Sequence, residues 1–175
     1  MNSNHDVLGL EINDYPGMPQ GYPIPTGIEN LLLFIQRNNT YNSVIFEANL
    51  HPDGAIQTSN PMQVYWWDLH HSGVTETHPI NAIQQNLAYG YEFEVIHPDL
   101  IRFYFKVYPH ITFFISKIEG KYKVTTKVEE SRMVVTNLYV HTEDLGVFPQ
   151  VIFVEFYGYN LETNQKLYFK LTFQN

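Results

Sequence analysis

The chain has 175 residues, 44% of them apolar and 15% aromatic, with no cysteine and a formal net charge of -8. That length suits one domain with a real core, and the missing thiols exclude disulfides, thiolate nucleophiles and cysteine-based zinc sites. The acidic total argues against nucleic acid as a partner, because that role usually needs a basic footprint.

The opening MNSNHDVLGLEIND has neither a positive start nor an apolar run of signal-peptide length. No later segment approaches the ~20 apolar residues of a bilayer span. The expectation is a cytoplasmic protein with no membrane partner. Residues 1–27 read as an arm, because Pro16, Pro19, Pro23 and Pro25 with three Gly block helix and interior strand. Residues 28–175 read as a single domain.

Strand signals then recur at short spacing. The first two are Leu31–Arg37 and Ser43–Asn49, and Asp53-Gly54 turns the chain before Gln63–Leu69. One helical signal follows at about 79–87. Thr77 is placed to cap it, Pro79 fits a first turn, and Ile80, Ile83 and Leu87 recur at helical spacing. The remainder reads as a meander: Tyr91–Ile96, Leu100–Tyr108, Ile111–Ile118, Lys121–Val128, Arg132–His141, Gln150–Tyr159 and Gln165–Phe173. Glu94 should face Arg102 across the first of these hairpins. Glu119-Gly120 is a two-residue turn that sets Ile115 against Val124 and Phe113 against Thr126. Thirteen Tyr and twelve Phe suit such pleated surfaces. The fold class expected is all-β, a curled or closed antiparallel barrel of about ten strands with one short helix.

Charge is uneven along the chain. Residues 1–101 hold eleven acids and a single cation, Arg37, whereas residues 102–175 hold nine cations and seven acids. Pairing across neighbouring strands explains this simply. Arg37 itself is either an anchor for a carboxylate or phosphate, or the partner of an acid such as Glu29 or Glu47.

Phosphate-loop, nucleophile-elbow and zinc-helix motifs are absent from the sequence, and no catalytic residue is assigned. Asp68, His70, His71, Glu76 and His78 include proper metal ligands, but their spacing matches no defined site and reads as a polar loop. Neither a metal nor a cofactor is expected. In Asn60-Pro-Met-Gln-Val-Tyr-Trp-Trp67, alternation sends Trp66 and Trp67 to opposite faces. Lys121, Lys123 and Lys127 share a strand face, as edge-protecting or anion-contacting groups.

Three runs carry a resemblance: Asn30-Leu-Leu-Leu-Phe-Ile-Gln-Arg37, Ser43-Val-Ile-Phe-Glu-Ala-Asn49 and Asn60-Pro-Met-Gln-Val-Tyr-Trp66. With Leu87-Ala-Tyr-Gly90 and Val154-Glu-Phe-Tyr-Gly158, they resemble an uncharacterised bacterial family, domain of unknown function 4833, over about residues 28–173. The resemblance brings no activity with it. It marks Gln36, Arg37, Asn49, Asn60, Pro61, Tyr65, Trp66, Tyr89 and Gly90, and leaves Trp67 and residues 68–78 outside the pattern.

The leading expectation is a small-ligand-binding barrel, with Arg37, Asn49, Asn60, Tyr65, Trp66 and Tyr89 as contact residues. An interaction protein forming a homodimer through the arm or the doubly apolar strands is the second. An enzyme built from scattered barrel residues is the third.

Overall fold

The structure is a computed structural model that describes residues 7–13 by their backbone, and residues 16–144 and 149–173 with the side chains of 85–87 set aside. Twelve strands and one helix follow in order: β1 (Val7–Asn13), β2 (Leu31–Arg37), β3 (Thr40–Ala48), β4 (Met62–Leu69), β5 (Thr75–Pro79), α1 (Ala82–Leu87), β6 (Tyr91–His97), β7 (Leu100–Phe105), β8 (Tyr108–Ile118), β9 (Lys121–Val128), β10 (Ser131–Asp144), β11 (Pro149–Asn160) and β12 (Lys166–Phe173). The part of the 1–27 segment that is described therefore contains a strand, paired antiparallel with β12.

All the strands belong to one sheet, curled into a half-barrel. The long strand β10 is its fork. β11 runs along one edge of β10 from Met133 to Asp144, and β12 and β1 continue from there. The other edge is shared. β9 pairs with Ser131–Val134 and leads on to β8, β7 and β6. β2 pairs with Asn137–Val140 and leads on to β3, β4 and β5. The β2–β10 ladder is parallel, so the sheet is mixed where the sequence suggested a purely antiparallel one. The cause is the long excursion of about 100 residues between these strands, which lets β10 return in the direction of β2.

Several local expectations hold. Glu94 binds Arg102, Ile115 faces Val124, and Phe113 faces Thr126. Glu119 and Gly120 both take positive φ, 53° and 80°, as a turn matched to strand twist requires. The helix differs from its prediction: Thr77 and Pro79 lie in β5, and α1 starts at Ala82 behind the cap Asn81. Residues 68–78 form a hairpin rather than a loop, closed by His70 N–H donating to the Val74 carbonyl at 2.9 Å. The strand expected over Leu100–Tyr108 breaks after Phe105, and Tyr108 opens β8.

The concave side is packed solid. Phe46 meets Phe105 edge to face, Phe103 stacks on Phe113, and Phe113 and Phe169 stack on the two sides of Phe156. Leu33, Val44, Ile101, Ile115 and Val124 fill the space between the rings. Among the described residues the concave face is thus lined by packed aromatic and aliphatic side chains, not by polar ligand contacts. The convex side of β2, β3 and β4 carries a smaller cluster of Phe34, Ile45 and Trp67, against which Met18 and Ile28 pack. Gln36 donates to the Pro23 carbonyl at 3.2 Å on that side, so residues 16–28 act as a cover there.

Candidate functional site

Strand alternation positions the site. On the concave face, β2 presents Leu33, Ile35 and then Arg37, and β4 presents Met62, Val64, Trp66 and then Asp68. Ile35, Val44, Trp66 and His78 lie level across four strands. Beyond that row the side chains turn polar, with Arg37, Asn42 and Asp68 on three neighbouring strands. The apolar core thus ends at a polar rim, and a cleft of about 340 Å³ opens there. Arg37, Asn39, Thr40, Asn42, Trp66, His78 and Gln84 line it.

The short helix α1 supplies the far wall. Asn81 accepts from Gln84 N–H at 2.8 Å, and the Gln84 side chain accepts from Asn81 N–H at 3.2 Å, which closes a capping box. The same Gln84 Oε1 accepts from Trp66 Nε1 at 3.2 Å. One amide therefore fixes both the helix start and the indole. Tyr89 follows the helix, is buried, and meets the Trp66 ring edge to face at 5.8 Å. Its hydroxyl accepts from Arg37 Nη1 at 3.0 Å.

Arg37 has no carboxylate within 4 Å among the described residues. Glu47, considered above as its partner, instead takes the Tyr65 hydroxyl at 2.8 Å and lies near Asn30 N–H. Arg37 Nε is buried and makes no hydrogen bond. A guanidinium held by one phenol at the edge of an open cleft, with no acid paired to it among the described residues, suits hydrogen bonding to an anion.

The hairpin β4–β5 forms the remaining wall. Asp68 Oδ2 lies 2.7 Å from His78 Nε2, and Glu76 Oε2 lies 2.8 Å from His70 Nε2. Asp68 and Glu76 are directly opposite each other. Asp68 is largely buried, and its Oδ1 has no hydrogen-bond partner. Among the described residues these groups are not arranged to hold a metal ion.

A second, larger cleft of about 600 Å³ lies on the other side of Tyr89 and includes Asn49, Asn60, Gln63, Tyr91 and Lys106. Here Asn49 holds its own loop together: its Nδ2 donates to the Asn60 carbonyl at 2.9 Å, and its N–H donates to the Pro61 carbonyl at 2.9 Å. Tyr91 bonds Met62 N–H and C=O, both at 3.1 Å. Burial raises the Tyr91 pKa, and the hydrogen bond its oxygen accepts from Met62 N–H opposes that shift.

Of the six residues singled out by sequence, the structure brings Arg37, Trp66 and Tyr89 together at the rim. It places Asn49 and Asn60 side by side at the second cleft. Tyr65 stands apart, on the convex side, where burial and then the Glu47 hydrogen bond raise its pKa. Five lining residues were not expected, Asn39, Thr40 and Asn42 of the turn after Arg37 together with His78 and Gln84. Gln84 lay in the helix signal, and His78 lay in the presumed loop. Only a strand at 75–79 would have set His78 opposite Trp66.

The geometry defines an all-β half-barrel with a filled interior and two polar clefts at its rim. The sequence matches the family described as a domain of unknown function, DUF4833, over residues 33–170, and the chain belongs to that family. The match includes every residue of both clefts. No curated protein and no solved structure matches the chain. No helix among the described residues is long and apolar enough to cross a membrane.

Proposed function

We propose that this protein binds a small anionic molecule at the Arg37 cleft, with Trp66 as an apolar wall and Gln84 fixing that wall. One observation carries the reading: Arg37 lines a ligand-sized cleft and, among the described residues, has no acid paired to it and one N–H buried without a partner. The volume is at the small end of the range typical of ligand sites, ~300–1,000 Å³. The acidic total favours a small molecule over nucleic acid. Asn49 and Asn60 belong to the second cleft in this reading, where they shape the wall rather than grip the anion.

The chain's two tryptophans make the test simple. Titration with sulfate, phosphate or benzoate should move the Trp66 indole N–H in an NMR spectrum and leave that of Trp67, on the convex side, in place. Arg37→Met should abolish the movement. It should also leave the unliganded protein within about 1 kcal/mol of its stability, because losing the Tyr89 hydrogen bond offsets removing an unsatisfied N–H. Equal movement of both indoles, or an unchanged titration of Arg37→Met, would sink the proposal.

A second reading, association of two copies, draws on β6. Among the described residues it pairs only with β7, and Phe93, Val95 and Ile96 are exposed on it. Light scattering decides it: a mass of one chain at ~100 μM leaves this reading without support.

A further inference from the structure

The hairpin wall of the Arg37 cleft carries more charge than anion binding alone requires. Asp68 and Glu76 face each other across β4 and β5, and each holds a histidine. Opposed carboxylates repel unless a positive charge lies beside them. Asp68 is the more constrained of the two, because it is largely buried and one oxygen accepts nothing. A buried carboxylate in that condition is compensated best by a cation, and His78 is the group in contact with it.

The cleft's charge therefore depends on His78. With its imidazole neutral, His78 leaves the Asp68 carboxylate uncompensated behind the cleft wall; protonated, it cancels that charge and leaves the charge of Arg37 in excess. The other elements lining the cleft, the Asn39–Asn42 turn and Gln84 of α1, present neutral groups. His78 lines the cleft itself, whereas His70 lies four residues beyond Trp66, at the turn of the hairpin.

We infer that anion capture at the Arg37 cleft is proton-linked, with His78 taking up a proton as the anion binds. This rests on the anion-binding reading above and adds its regulation: the site fills in mildly acidic medium and empties as the medium turns alkaline. Histidine is the side chain suited to such a response between about pH 5 and 8. Linkage makes the effect reciprocal, so the anion strengthens proton binding by the factor with which the proton strengthens anion binding.

Calorimetry of sulfate and benzoate binding, in two buffers of different ionisation heat, counts the protons taken up. Both probes keep their charge across the range used. The wild-type protein should take up close to one proton per anion on the alkaline side, with affinity falling about tenfold per pH unit there. His78→Gln should bind with no uptake and no pH dependence, while His70→Gln should keep most of the uptake. Wild-type binding without proton uptake, or uptake unchanged in His78→Gln, overturns the inference and leaves anion binding standing. No binding at any pH overturns both. If His78→Gln fails to fold by circular dichroism, an NMR titration of the wild-type His78 ring decides instead. Saturating sulfate must raise the pH at which that ring loses its proton, and an unmoved curve refutes the linkage.

Discussion

Gly158 is the position where the smallest change should do the most damage. It lies on β11 opposite Val135 of β10, the strand at which the half-barrel forks. A Cβ added there would sit 1.8 Å from the Val134 carbonyl oxygen and 2.9 Å from its carbon. Both are backbone atoms, so no rotamer relieves the clash. Reaching even 3.0 Å requires β10 and β11 to separate locally by about 1.2 Å, a quarter of the ~4.8 Å strand spacing. Overpacking of this kind costs about 1–3 kcal/mol, and a ladder hydrogen bond lost to the shift adds about 1 kcal/mol. Replacing Gly by Ala in a strand returns about 0.5–1 kcal/mol. The expected net loss is about 2–3 kcal/mol for Gly158→Ala. In urea denaturation, an m-value near 2 kcal/mol/M turns that into a midpoint lower by about 1–1.5 M. Gly54→Ala is the comparator. Its φ of 91° penalises a side chain, but nothing lies within 4 Å of the added carbon, so about 1 kcal/mol is expected. A Gly158→Ala midpoint within 0.3 M of wild type (roughly 0.6 kcal/mol at that m-value) would refute the packing argument.

The capping box and the buried phenols give two further tests. Asn81→Ala removes the acceptor for Gln84 N–H and should cost about 1 kcal/mol in thermal or urea unfolding. It should also shift the Trp66 indole resonance, since Gln84 holds that ring; an unmoved resonance would separate the cap from the site. At high pH, burial and then the carboxylate hydrogen bonds raise the pKa of Tyr65, bonded to Glu47, and of Tyr122, bonded to Asp99. A folded pKa above the unfolded value of about 10 contributes stability that is complete below that pH and is lost as pH rises through the folded value. Unfolding free energy should therefore hold to about pH 10 and then fall, and Tyr65→Phe should reduce the slope of that fall. An equal slope in the variant would show that Tyr65 has the same pKa folded and unfolded.

The sequence made some of this fold legible, and the pattern of success has a physical basis. Two strands match residue for residue: Leu31–Arg37, a short apolar run that ends in polar turn residues, and Lys121–Val128, which follows the positive-φ hairpin turn Glu119-Gly120. β5 escaped notice because Thr75–Pro79 is polar and exposed throughout, an edge strand with no apolar face to betray it. Its terminal Pro79 then resembled a helix start. The fork at β10 and its parallel ladder to β2 had no local signal either, since they join residues about 100 positions apart. Alternation placed Tyr65 with Trp67 and against Trp66, which is correct. It could not say which side was concave, and so Tyr65 was grouped with a cleft from which β4 itself separates it.

The filled interior changes where function has to be sought. A hollow barrel would place ligand contacts among inward-facing residues in mid-strand, and here those positions belong to Phe46, Phe103 and Phe113. Inward-facing positions become available only where the core runs out, and on β2, β3 and β4 it runs out just beyond the level row of Ile35, Val44 and Trp66. A polar residue that merely ends a strand needs no such agreement between neighbours. Arg37, Asn42 and Asp68 agree, and His78 is brought level with Trp66 by a strand whose own side chains are exposed throughout. β5 adds no residue to the aromatic core; what it adds is the wall of the cleft. A strand present for packing alone would bury side chains of its own. This one leaves them in water, and its closest engagements are Asp68 with His78 and Glu76 with His70. That arrangement is the reason the proton, and not the anion alone, belongs in the account of this site.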